Sequence, residues 1–77
     1  MLHVGHQNYI SKDKITAIVV NKGTAIEGKL RKMRAEGKCV DCTQGKRTRS
    51  IIFLNDGTIV ASSLESMSLV RRFLERD

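Results

Sequence analysis

Two pairs of residues carry the most evident chemistry in this 77-residue chain: His3 and His6 in "HVGH", and Cys39 and Cys42 in "CVDC". Imidazoles and thiolates are the usual ligands of zinc, and two such pairs would complete a tetrahedral site. The local pattern argues against it. Both pairs fall in stretches that read as strand, where residues three apart point to opposite faces. "CVDC" also has no Gly, Pro or Asn to turn the chain between its thiols. A redox dithiol normally sits at a helix N-terminus that lowers the thiol pKa, and no helix follows here. The reading is therefore core or half-buried cysteines, with no metal and no cofactor.

Other catalytic constellations fare no better. "TQGKRT" contains Gly45-Lys46, but a phosphate-binding loop needs a glycine five residues before that Gly, where Val40 stands, and a helix after it. Asp13, Asp41 and Asp56 are scattered, and no nucleophile lies beside either histidine in the sequence. The chain reads as a binder rather than an enzyme, with no small-molecule substrate expected.

Charge says what kind of binder. The net charge is +6, and residues 22–49 hold nine bases against three acids, while the remainder balances. About a third of the chain therefore owns the whole excess, which suits a footprint for an anionic partner. Lys46, Arg47 and Arg49 crowd around Gly45, with Thr48 between them, just before an apolar run. Such a loop is either a solvated hairpin tip or a grip on something anionic. Lys29, Arg31, Lys32 and Arg34 form a second cationic group on a helix. Arg31 and Lys32 are secondary candidates for the same partner, with a solvated helix face as the alternative.

These residues need elements to hold them. "LHVG" suits a short strand, and "ITAIVV" a second with apolar residues on both faces. "TAIEGKLRKMRAEG" predicts a helix, opened by a capping box of Thr24 and Glu27 and stopped by Gly37. Ile26, Leu30 and Met33 form its inner stripe. "CVDCT", "SIIFL" and "TIVAS" read as strands, the last two joined by an Asp-Gly hairpin. A second capping box at Ser62 and Glu65 predicts the final helix, with Leu64, Met67, Val70 and Leu74 toward the core. Leu69 and Phe73 then fall on another side, facing a neighbouring subunit or the edge of their own sheet. The expected architecture is one α+β domain over residues 1–77, a small, mostly antiparallel sheet with two helices in the order β-β-α-β-β-β-α.

Residues 38–54, "KCVDCTQGKRTRSIIFL", resemble the RemA family of small bacterial extracellular-matrix regulators. The matching hallmark is a strand ending in Asp41 and Thr43, then the loop Gly45, Lys46, Arg47, Thr48, Arg49, then an apolar strand. Val4, Gly5 and Asn8 match the family's opening, and "KDKITAIV" is similar to its next strand. The sequence departs where His6 and Gln7 replace an aromatic-Gly pair and where Gln44 stands at an often aromatic place. The resemblance implies a DNA-binding transcription regulator that assembles into a homo-oligomeric ring, with the duplex held at the rim. Lys46, Arg47 and Arg49, with Thr48, match the loop, and Lys14 stands where the family often has arginine.

Elementary physics fits that expectation. Three phosphate contacts from one protomer give a salt slope of only about −2.7, whereas several linked copies add their contacts through effective concentration. No helix is loaded with base-reading side chains, so duplex deformability would set specificity. Two other classes use the same cations: an RNA-binding module, which usually needs exposed aromatics that the loop lacks, and a scaffold docking an acidic protein. No secretion signal opens the chain and no apolar run nears the ~20 residues of a membrane span, so a cytoplasmic location is expected.

Overall fold

The computed structural model describes residues 1–75. Its elements are β1 (Leu2–Gly5), β2 (Asn8–Ile10), β3 (Ile15–Val20), α1 (Thr24–Ala35), β4 (Cys39–Cys42), β5 (Ser50–Leu54), β6 (Ile59–Ser62) and α2 (Ser66–Leu74), with a single 3₁₀ turn at Lys12–Lys14. The α+β class stands, with one strand more than expected. β2 pairs antiparallel with β1 as a separate hairpin. Its turn residues His6 and Gln7 both have positive φ, 50° and 63°. That is the backbone of a two-residue hairpin turn, but without the Asn-Gly or Asp-Gly pair that announces one in a sequence.

The main sheet has the order β3-β5-β6-β4. β3 with β5 and β5 with β6 are antiparallel, while β4 lies parallel to β6 in the register Cys39↔Ile59 to Cys42↔Ser62. The strands leading into and out of the basic loop, β4 and β5, are therefore not neighbours. The loop arches past the end of β6. Because β3, β4 and β6 point the same way, their C-terminal ends gather at one end of the sheet with the N-terminal end of β5.

Each face of the sheet has its own core. Leu2, Val4, Cys42, Ile52, Val60 and Leu69 are buried between the sheet, the hairpin and α2. Leu30 of α1 packs on the other face against Ile51, Ile59 and Ala61, with Ile26, Met33 and Cys39 beside it. Successive residues of β5 and β6 feed opposite cores, which explains their unbroken apolar runs. It is these central strands that are covered on both sides. β3 is an edge strand, and its Val20 is exposed. Cys39 and Cys42 belong to opposite faces, so their thiols cannot share one ion. Burial, followed by the nearby Asp41 and Cys39, also pushes the Cys42 thiol up, away from the thiolate a metal would need.

Both helix starts differ from the sequence reading. Gly23, at φ 86°, caps α1 in place of Thr24, and no side chain makes a capping hydrogen bond. The chain has only three residues in which to leave β3 and enter the helix, and glycine alone enters that backbone region freely. Glu27 accepts a hydrogen bond from Asn21 Nδ2 at 2.8 Å instead of closing a box. Ser62 is not a cap at all. It ends β6, is fully buried, and donates from Oγ to the Val4 carbonyl at 2.6 Å. The helix α2 begins four residues later, behind Glu65.

The rotation of α2 is the largest correction. Leu69 is 0% exposed and Phe73 packs against the same core, whereas Met67 is 64% and Leu74 75% exposed. Leu69 and Phe73 are thus this protomer's own core, and the outward apolar side chains are Met67 and Leu74. The cause is polar. The buried Ser66 Oγ lies 2.7 Å from Ser50 Oγ, which also donates to the Leu64 carbonyl, and these contacts fix which side of the helix meets the sheet.

Candidate functional site

The loop over residues 43–49 is short, basic and tied by hydrogen bonds at both ends. At its start, Asp41 Oδ1 accepts hydrogen bonds from the Thr43 amide at 2.9 Å and from Thr43 Oγ1 at 2.6 Å. The Thr43 hydroxyl, then its amide, hold the Asp41 carboxyl below the usual carboxylate range, with Arg34 adding a smaller pull. The chain then turns tightly through Gln44 and Gly45, both at positive φ, and the Lys46 amide donates back to the Thr43 carbonyl at 3.1 Å. Gly45 takes its positive φ without steric cost, which Gln44 does not.

At its end, the Arg49 amide donates to the Ser62 carbonyl at 2.8 Å, and the Asn21 amide donates to the Arg49 carbonyl at 3.0 Å. Asn21 is the central staple. Its Nδ2 donates to the Thr48 carbonyl at 2.9 Å as well as to Glu27, joining the loop to the start of α1. The cost of aiming the amide nitrogen at two oxygens is a buried Asn21 Oδ1 with no partner among the described residues. A loop fixed this way presents Lys46, Arg47 and Arg49 on an ordered backbone, so that binding has only their side chains left to order.

No acid lies within ion-pair distance of these three cations among the described residues. They line two clefts, one on each flank of the loop. The first, of about 530 Å³, runs between the end of β3 and the start of α2, where Val20, Lys22, Glu65 and Met67 meet Arg47, Thr48 and Arg49. The second, of about 400 Å³, lies between the loop and the N-terminal hairpin, with His3, Gly5 and His6 facing Lys46, Arg47 and Arg49 over a floor of Ser63 and Leu64. Arg47 and Arg49 belong to both.

The other candidates lie elsewhere. Lys14 precedes β3, whose first residue pairs with the last of β5. It is therefore a whole strand away from the loop, roughly 17 Å at ~3.3 Å per residue. Arg31 and Lys32 are exposed on α1, and neither lines a cleft at the loop. Sequence reasoning missed Asn21, Glu65 and the hairpin tip as neighbours of the loop. No motif marks Asn21, since its partners are 6 and 27 residues away. The hairpin is distant in sequence too, and it is brought there by the core packing of Leu2 and Val4 and by the buried Ser62 to Val4 bond.

Comparison with known proteins identifies relatives over nearly the whole chain. The family model described as Extracellular matrix regulatory protein A-like, RemA-like, matches residues 1–73. A provisionally named regulatory protein of Oleidesulfovibrio alaskensis is 32% identical over 78 residues, covering all of this chain and 92% of its own length. One from Thermotoga neapolitana is 31% identical over 75 residues, covering 97% of this chain and 82% of its own. A third, from a Cyanothece species, is 28% identical over 74 residues. Their names point to regulation rather than catalysis. The chain belongs to the RemA-like family.

Proposed function

From that membership we propose that the protein is a DNA-binding transcription regulator of the extracellular-matrix type, which holds duplex DNA by its phosphates through Lys46, Arg47 and Arg49. The observation that carries this reading is the pre-ordered loop whose three cations have no acid partner among the described residues. Unpaired guanidinium groups on a fixed backbone suit phosphate oxygens, which they meet through paired N–H donors. Thr48 sits among them, its hydroxyl available as a neutral donor to the same backbone. Arg31 and Lys32 would add contacts only where the duplex reaches the outer face of α1. Lys14 would reach only a different phosphate, a strand's length away.

A single loop is a weak grip, so the proposal includes assembly of several copies into a ring. The two edges of the sheet are β3 and β4, with exposed Val20 on one and exposed Val40 on the other. Met67 stands beside Val20 on the wall of the first cleft. Different apolar surfaces on opposite edges favour head-to-tail contact, the arrangement that closes into rings. Gel shift and light scattering on Arg47→Ala with Arg49→Ala test the reading. It expects loss of duplex retention at unchanged particle mass, and wild-type retention by the double variant would overturn it.

A further inference from the structure

The N-terminal hairpin has no role in the reading above, yet it forms one wall of the second cleft. We propose that this hairpin completes a phosphate-binding site in which His6, as the imidazolium, joins Lys46, Arg47 and Arg49 around one phosphate group. For its duplex form the proposal rests on the function given above; for a free phosphate compound it stands alone.

Four observations support it. The cleft is lined from both sides by nitrogen-bearing side chains and by no carboxylate, unlike the first cleft, which contains Glu65. The wall is fixed: a Cβ on Gly5 would meet the Cys42 carbonyl oxygen at 3.4 Å, so the hairpin backbone lies directly against the end of β4. Asn8 Nδ2 ties the turn itself, donating to the Gly5 carbonyl at 3.0 Å and the His6 carbonyl at 3.3 Å. The two histidines then divide the work. His3 is a positioning residue that holds α2 to the hairpin: Arg72 Nη1 donates to its carbonyl oxygen at 3.3 Å, and its neutral ring accepts at one nitrogen, from the Gln7 amide at Nε2 or from Arg72 at Nδ1. The His6 imidazole has no partner among the described residues and is free to meet a ligand.

The charged and titratable groups that line the cleft with His6 are Lys46, Arg47 and Arg49 from the loop and His3 from the hairpin, with Tyr9 and Arg72 of α2 lying against His3. A bound dianion attracts the imidazolium, so anion binding and proton uptake at His6 strengthen each other. Two probes separate the sources of phosphate. Inorganic sulfate is a tetrahedral dianion whose charge does not change between pH 8 and 5.5, and a short DNA duplex carries fixed diester charges.

The test is NMR titration of the wild-type protein and His6→Asn, a substitution compatible with positive φ, at both pH values. The proposal expects sulfate to move the amide signals of Gly5, His6 and Lys46 together, with about a fivefold gain in wild-type affinity at pH 5.5 that His6→Asn lacks. The same gain for the duplex identifies the ligand as a nucleic-acid phosphate. Sulfate binding without duplex binding keeps this site and overturns the function proposed above. An equal pH response in both proteins, or hairpin signals that ignore sulfate, would overturn the inference.

Discussion

Two regions of this molecule carry most of its excess positive charge, and they are built differently. On and just after α1 the cations are largely occupied: Lys29 sits 5.1 Å from the Phe53 ring centre, Arg34 lies 3.7 Å from Asp41, and Lys38 lies 3.8 Å from Glu36. Arg31 and Lys32 have no ion-pair partner among the described residues, but they stand on an exposed helix face. In the loop, three cations have neither acid nor ring partner among the described residues, and they line clefts. Pairing and shape together, not the number of charges, separate a surface that is merely solvated from one prepared for an anion. Exposed ion pairs such as Arg34 with Asp41 add little stability.

Charge reversal breaks the comparison most severely. Arg47→Glu should abolish duplex retention in a gel shift, while Arg31→Glu should leave most of it; equal loss from both would merge the two regions. A gentler variant gives the loop what the helix already has. Gln44→Asp places a carboxylate beside Gly45 at a position where Asp tolerates positive φ. It should lower the salt slope of duplex binding by about 1 per engaged protomer. Asn21→Ala leaves every charge in place but cuts the staple to Thr48 and Glu27. It should cost about 1 kcal/mol in urea unfolding and speed hydrogen exchange at the amides of 46–49. If binding stays at the wild-type level once those amides are exposed, pre-ordering of the loop is not needed.

The smallest effect concerns Asp41, which serves both regions by pairing with Arg34 and starting the loop turn. Its carboxyl is held below the ordinary range when folded. The resulting stability is present above the unfolded-state pKa of about 3.9 and is lost as pH falls through the lower folded value. Asp41→Asn should therefore melt slightly below wild type at pH 6, by under about 1 kcal/mol, because the side chain is half exposed. The gap should close on acidification below about pH 4, and a gap that widened there would refute the assignment.

Much of this layout is legible in the sequence because its signals are local. The α1 stripe of Ile26, Leu30 and Met33, the Gly37 stop and the strand at "CVDC" all follow from periodicity and turn chemistry. The loop stands out because its three cations fall within four residues. What stayed hidden depends on residues far apart in the chain. Two apolar stripes on α2 were each plausible, and the buried pairing of Ser66 with Ser50 chose between them. The parallel placement of β4 beside β6 carries no local mark, and it decides that the loop crosses the end of β6 next to the hairpin. The Ser62 and Thr24 boxes show the same limit. A four-residue pattern predicts a cap only when the chain around it is free to make one.

The most direct test of the account is the salt dependence of duplex affinity for the wild type, for Arg47→Ala with Arg49→Ala, and for Arg31→Ala with Lys32→Ala. The account predicts a steep wild-type slope, nearly the same slope for the helix variant, and one shallower by about 1.8 per engaged protomer for the loop variant. A loop variant with the wild-type slope would contradict it.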